Sequence, residues 1–519
     1  DHDDHDADHP DDPDHPEDHD ADEGFVANSD LASEAMKFGA STVSENGFIG
    51  FSISNTETTY GIPFHAEDHE EEPGEPHEEE RIFASSESDK FDIKGSYNLD
   101  GLSFANSVDF FYRDSEYSFT EQHAEEEHHE DPDHIEDPED PDHHEEGPTL
   151  FTNDSSETGF ILDLSNDSIS QKISINLANE DTSIIGAEAF MNPASRDEAT
   201  IGYYFGRSVN GFDIDFAARY DSIDNKGSVS TVHEDDDHDA DHPDDPDHPH
   251  EIETDYFNRS FNDSSLAFNI GKQLNDFLDI KLGFASVERA PSSVELFMNG
   301  AHLATGRFEV GNVNLNSETS NNIDFSVSIN NGGLYAFASI FINDVNNYIY
   351  LQDEVHHDDD GDDHGGLIRA NYLQQDAELD GHEIEFGNTF DLASGELTLS
   401  FGRDEVNGEF TNGSNIPRLN PARNIYKLKY SQDDMTFGLM LKDVEEQNDI
   451  GLGETATSAY EMLNAKVTRS FDLGNQSKLI LSIFGNNLTD EVARNHSSFV
   501  KKEVPLPGRN YGVRFNLTF

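Results

Sequence analysis

The last nine residues constrain the fold more than any other stretch. Tyr511, Val513, Phe515, Leu517 and Phe519 fall on one face of an extended chain, and Gly512, Arg514, Asn516 and Thr518 on the other. Side chains alternate sides along a strand, so this segment is half apolar and half polar. The same period recurs upstream. Leu278, Ile280, Leu282 and Phe284 alternate with Asp279, Lys281 and Gly283, and Phe91–Ile93, Phe212–Phe216, Phe325–Ile329, Leu397–Phe401 and Tyr426–Tyr430 repeat the pattern. No stretch sustains a helical stripe, and none approaches the ~18 apolar residues of a membrane helix. Roughly 18 strands are expected.

Between these segments the connections alternate in length. Short ones carry turn chemistry: Ser165–Asp167, Val209–Gly211, Asn330–Gly333, Ala393–Gly395, Ser431–Asp434 and Leu473–Asn475. Long ones span Arg289–Glu318, Asn407–Arg423, Lys442–Thr457 and Asn487–Pro507. A soluble β-sandwich also alternates, but its strands are short and its apolar faces cover one another. Strands of about ten residues or more, with one end elaborated, fit an all-β transmembrane antiparallel β-barrel, with lipid outside and water or a plug inside. A polar inner face also accounts for an apolar fraction of only 34%. Outer-membrane barrels characteristically end on such a Phe-terminated strand.

Five runs interrupt this scaffold, at 1–23, 65–80, 121–147, 232–250 and 353–364. They hold 22 of the 25 histidines and 52 of the 110 acidic residues, and Asp237–Pro249 repeats Asp4–Pro16 letter for letter. With only 30 Lys and Arg, the net charge is −80. Phosphate binding needs clustered cations, so nucleic acid is not an expected partner. The absence of cysteine removes thiolate metal sites and thiol catalysis. No G-x-S-x-G or H-E-x-x-H occurs, and repetitive runs lack the fixed geometry of catalysis, so an enzyme is not expected. A cation is the natural partner. Calcium and magnesium favour oxygen ligands alone, whereas zinc and other transition metals also take imidazole. Histidine mixed through every run therefore points to zinc, with nickel, copper and cobalt open and no organic cofactor expected. Exposed imidazoles, with a pKa near 6.5, bind metal at pH 7 and release it around pH 5. The alternative is that the runs are solvated loops that merely keep the surface charged.

Particular motifs add a family resemblance. Glu288–Phe297 (ERAPSSVELF), Gly300–Asn312 (GAHLATGRFEVGN), Asn314-Leu315 and Glu318 are followed by Asp380–Phe386 (DGHEIEF), Pro421–Asn424 (PARN) and Asn486–Asp490 (NNLTD). Arg494–Lys502 and Pro505–Asn510 complete the series. Together they resemble a TonB-dependent outer-membrane receptor. Tyr60–His65, which leads into a His/acid run, and the His302 motif are similar to the zinc-receptor branch. The resemblance implies a 22-stranded barrel with an N-terminal plug. It also implies residence in the outer membrane of a Gram-negative bacterium, contact with outer-membrane lipid, zinc uptake, energising by the TonB complex, and action as a monomer. The chain departs from that pattern in its strand count, and no plug or Ton box stands before Asp1. It is therefore expected to be the barrel portion, residues 1–519, of a longer parent that carries out active transport.

On the same resemblance His302 is the first candidate metal ligand. His65 and His69, spaced i,i+4 with Asp68 between them, are its candidate partners, and His496 in the last long loop is another. His143, His144, His238, His242 and His248 are expected to gather ion in many weak sites along the loops. His382, in DGHEIEF at the expected start of a strand, reads as structural. Two alternatives remain open, the first a haem or other metal-chelate (siderophore-type) receptor of the same family. Arg289-Ala-Pro291, His302 and Asn312-Val-Asn-Leu315 resemble a haem-receptor pattern with Val313 in place of proline. Haem, which needs axial histidine, gives no use for the run histidines. A surface metal-binding barrel without transport is the other.

Overall fold

The computed structural model describes residues 26, 28–63, 82–102, 104–123, 148–186, 189–233, 251–355, 367–474 and 477–519. They build a single sheet of 21 strands, antiparallel but for one short pairing. The first ten strands are Leu31–Ser44 (β1), Gly47–Gly61 (β2), Ile82–Asn98 (β3), Ser107–His123 (β4), Thr149–Asp163 (β5), Ser170–Ile185 (β6), Ala194–Val209 (β7), Phe212–His233 (β8), Glu251–Asn275 (β9) and Leu278–Arg289 (β10). A one-turn helix, Ser293–Phe297 (α1), and two four-residue strands, Asn299–His302 (β11) and Arg307–Val310 (β12), follow. Nine longer strands complete the sheet: Glu318–Asn331 (β13), Leu334–Asp353 (β14), Ile368–Leu392 (β15), Gly395–Phe410 (β16), Arg423–Gln432 (β17), Met435–Val444 (β18), Tyr460–Gly474 (β19), Ser477–Asn486 (β20) and Asn510–Thr518 (β21).

Because β10 pairs directly with β13, the β11–β12 hairpin belongs to the connection between them. Nineteen strands are thus long, close to the expected number. Among the described residues β1 pairs only with β2 and β21 only with β20, so the sheet is not closed between them.

At one rim the turns are short, as at 45–46, 210–211, 276–277, 332–333, 393–394 and 433–434. At the other rim lie the long connections 290–317, 411–422, 445–459 and 487–509. The strand ends that anchor the four internal acidic runs are at this second rim too. The first run precedes β1, whose Leu31 pairs with Tyr60 there. The strands reach into three runs, taking Glu121–His123, Val232–His233 and Asp353.

The pleat sorts the faces. Ile340, Ile342, Ile384, Phe386, Leu399 and Tyr426 are exposed on one face of β14–β17. Phe386, Phe401 and Tyr426 form a row across three strands, with centroids 5.3 and 5.1 Å apart. An apolar face of this kind is stable only against lipid, at ~25 cal/mol per Å² removed from water.

The opposite face is filled locally by the 290–317 connection. Strand side chains hold its backbone: Asn225 Nδ2 and Arg196 Nη1 donate to the Pro291 carbonyl at 3.0 and 3.2 Å, and Arg259 Nη2 donates to that of Leu315 at 2.9 Å. Ser292 and Glu295 close a capping box at the start of α1. The helix directs Leu296 and Phe297, both fully buried, into a cluster with Phe190, Met191, Ile223, Phe261 and Leu315. Each such side chain contributes about 1.5–3 kcal/mol. Gly227 permits the contact, because a Cβ there would stand 2.5 Å from the Phe297 ring.

Candidate functional site

His302 ends β11 and pairs with Arg307 of β12 across a tight turn, Leu303–Thr305, closed by Gly306 at φ 64°. Its ring stacks on Phe190, with centroids 4.6 Å apart and planes at 27°. Nδ1 lies 2.9 Å from Oε1 of the buried Glu309. The Thr305 hydroxyl donates to the same oxygen at 3.1 Å. A carboxylate at Nδ1 holds the proton there and leaves Nε2 with a free lone pair, the usual arrangement behind a metal-ligating imidazole. Among the described residues Nε2 has no hydrogen-bond partner.

His302 and Glu309 line a cavity of about 430 Å³. Its walls come from the 290–317, 411–422 and 487–509 connections and from the long-loop ends of β14 and β15. Tyr348, Tyr350, Tyr372 and Phe499 supply aromatic surface, and Met298, Val294 and Pro417 the remaining apolar surface. Arg307, beside the cavity, is buried and paired with Asp353 through two bonds, Nε–Oδ1 at 2.9 Å and Nη2–Oδ2 at 2.7 Å. The Arg307 and Arg418 guanidinium carbons stand 4.5 and 4.3 Å from the Phe499 ring centroid. Both oxygens of Asp353 are thereby committed to a structural ion pair.

His496 serves a different construction. It is buried, with Nδ1 2.9 Å from the Thr457 hydroxyl and Nε2 3.0 Å from Oε1 of Glu454. The Glu454 carboxylate also accepts from Lys501 Nζ at 2.7 Å, from the Gly451 N–H at 2.9 Å and from the Arg418 N–H at 3.0 and 3.1 Å. Burial alone would raise this carboxyl, but His496, Lys501 and the two backbone donors outweigh it and hold its pKa down to about 2. One carboxylate thereby ties three long connections together.

His382 is not at a strand start. It lies mid-way along β15, opposite Ile340 and Glu405, and strand alternation puts it on the face of Ile384 and Phe386. That face is the exposed apolar one, away from the cavity. The offset arises because β15 extends through polar residues that carry no alternation signal. His65, Asp68, His69, His143, His144, His238, His242 and His248 lie outside the described residues. Among the described residues no three His, Asp or Glu side chains come together closely enough to hold an ion. Tyr348, Tyr350, Tyr372, Arg418 and Phe499 escaped sequence reasoning, since barrel strands and loops use the same residue types for packing.

A family description, TonB dependent receptor-like, beta-barrel, matches residues 32–488. Solved structures with the same fold include the copper transporter OprC, at TM-score 0.64 and 12% identity, with 93% of this chain and 78% of that chain covered. The FrpB iron transporter from Neisseria meningitidis (F3-3 variant) matches at 0.63 and 11%, covering 95% of this chain and 73% of its own. A double mutant of the Serratia marcescens hemophore receptor HasR, in complex with its hemophore HasA and heme, matches at 0.61 and 13%, covering 93% and 70%. At such identities these structures speak for the fold. With a family match over most of its length and a sheet of the matching architecture, the chain belongs to the TonB-dependent receptor β-barrel family of Gram-negative outer-membrane proteins.

Proposed function

We propose that this barrel serves TonB-dependent uptake of a metal across the outer membrane, and that the metal is zinc. The observation that carries the reading is the His302–Glu309 pair on the cavity wall, at the rim where all five His/acid runs are anchored. A carboxylate-oriented imidazole suits zinc, and the runs raise the local cation concentration within a screening length of ~8–10 Å. In this reading the runs gather ions, His302 receives them, and the TonB complex supplies the energy for passage. OprC and FrpB, which are named for copper and iron transport, show that the fold serves metal cargo.

The test is metal binding by the purified, refolded protein, with zinc, calcium and haem titrated separately at pH 7.5 and pH 5. Zinc is expected to bind more tightly than calcium at pH 7.5, to dissociate at pH 5, and to bind more weakly in His302→Ala. Calcium binding tighter than zinc, or zinc binding indifferent to pH, would overturn the reading. One observation favours haem as a second reading: the aromatic walls around an axially competent His302. Stoichiometric haem binding lost in His302→Ala would select it.

A further inference from the structure

Near the short turns the lipid side of the barrel reverses the charge of the chain. Between the apolar belt and those turns, β7–β10 and β13–β21 put Arg207, Lys272 and Arg469 on that side and no Asp or Glu. The whole chain has 110 acidic residues against 30 Lys and Arg.

Strand pairing fixes which way these side chains face. Arg207 is opposite Ile214, and Lys272 is opposite both Phe212 and Ile280, on the face that carries the exposed Phe268 and Phe284. The inward-facing Arg196, Asn225 and Arg259, which hold the 290–317 connection, are each an odd number of residues from Arg207, Phe212 and Lys272 along their strands. Asp213 and Asp215 are turned inward as well, where they accept from the Ser208 and Tyr204 hydroxyls. The acids are thus segregated from the cations by the pleat.

Among the described residues neither Arg207 nor Lys272 has an ion-pair partner. Lys272 Nζ stands instead 4.1 Å from the centroid of the Phe212 ring. Arg469 repeats this on β19, with its guanidinium carbon 5.1 Å from the Phe471 ring centroid. Val209, Phe212, Leu274 and Phe277 make an exposed apolar shelf around Arg207 and Lys272. A cation at the edge of hydrocarbon is costly unless its head reaches water or an anion. These two flank β8, two strand spacings or ~10 Å apart, with an aromatic ring between them. Guanidinium and ammonium groups both make charge-assisted bonds to phosphate, and a bilayer places phosphate at this depth, beside acyl chains that cover the shelf.

We propose that Arg207 and Lys272, with Phe212 between them, form a headgroup site for an anionic phospholipid in the leaflet at the short-turn rim. The phosphate bridges the two cations, and the acyl chains run along Ile214, Ile270 and Phe268. The site is independent of the metal reading, since it lies at the opposite rim from His302.

The refolded full chain is titrated in detergent with phosphatidylglycerol and, separately, with phosphatidylcholine of the same acyl chains, and bound lipid is counted by native mass spectrometry. The first phosphatidylglycerol is expected to bind wild-type protein at least tenfold more tightly than phosphatidylcholine. Arg207→Gln and Lys272→Gln should each weaken it about fivefold, and the double variant should erase the preference, with phosphatidylcholine unaffected. Arg469→Gln, which removes a lipid-side cation elsewhere, should leave the first phosphatidylglycerol in place. Heat-modifiability on a gel checks that each variant folds. Equal affinity for the two lipids in wild-type protein, a preference that survives the double variant, or one lost equally in Arg469→Gln would overturn the inference.

Discussion

The Glu454 carboxylate offers the sharpest test of how the loop rim is held. Its pKa is held to about 2 against an ordinary value of 4.5. A tenfold change in proton affinity is worth about 1.4 kcal/mol, so the charged form stabilises the folded rim by about 3 kcal/mol. A depressed carboxyl contributes its full stabilisation above the unfolded value, here 4.5, and loses it as pH falls toward 2. Glu454→Gln keeps the shape and removes the charge, leaving buried Lys501 without its carboxylate and the Arg418 and Gly451 amides with a weaker acceptor. At pH 7 the variant should therefore open locally about a hundredfold more often. Amide hydrogen exchange over 411–422, 445–459 and 487–509 reads this directly, with the β13–β16 strands as internal reference. Wild-type protein should show the same loosening only as the solution is taken below about pH 4.5. Unchanged exchange in Glu454→Gln, or wild-type loops that open between pH 7 and 5.5, would refute the argument.

Other perturbations probe separate parts of the structure. Phe297→Ala removes a fully buried ring from the 290–317 cluster and should cost about 3–5 kcal/mol in chemical denaturation, while Gly227→Ala, which drives a methyl into that ring, should cost about 1–3 kcal/mol. Arg307→Ala leaves Asp353 buried without its partner and should destabilise by about 3–5 kcal/mol, more than the double change Arg307→Met with Asp353→Leu, as a double-mutant comparison of melting would show. Phe401→Arg puts a charge in the middle of the aromatic row on the lipid face. It should reduce folding into bilayers by about 2–4 kcal/mol, measured by refolding yield on a heat-modifiability gel.

Much of the barrel was legible in the residue order. Leu278–Phe284, Leu397–Phe401 and Tyr426–Tyr430 are strands because alternation is a local property, and Asn330–Gly333 and Val209–Gly211 are turns because glycine and asparagine tolerate the backbone that a hairpin needs. His302 could be singled out from its motif, and the structure puts it on a cavity wall with a carboxylate behind it. His496 could be singled out as readily, yet it is enclosed by Thr457 and Glu454. Nothing in RNHSSF distinguishes a histidine facing a cavity from one bonded into a loop network. Asp353 likewise begins an acidic run by composition but answers Arg307 in space.

The sequence alone determined the strands, the two kinds of rim, the lipid-facing stripe and the acidic, histidine-rich chemistry of the loops. Each follows from the identity of a residue and its near neighbours along the chain. Only the tertiary structure decided which residues meet at the rim. Arg307 stacks on Phe499 from across most of the C-terminal half, Glu454 gathers Arg418 and Lys501 from two other connections, and three tyrosines share a cavity with His302. These are encounters between segments far apart in the chain, set by strand pairing and loop packing. A local pattern carries no record of them.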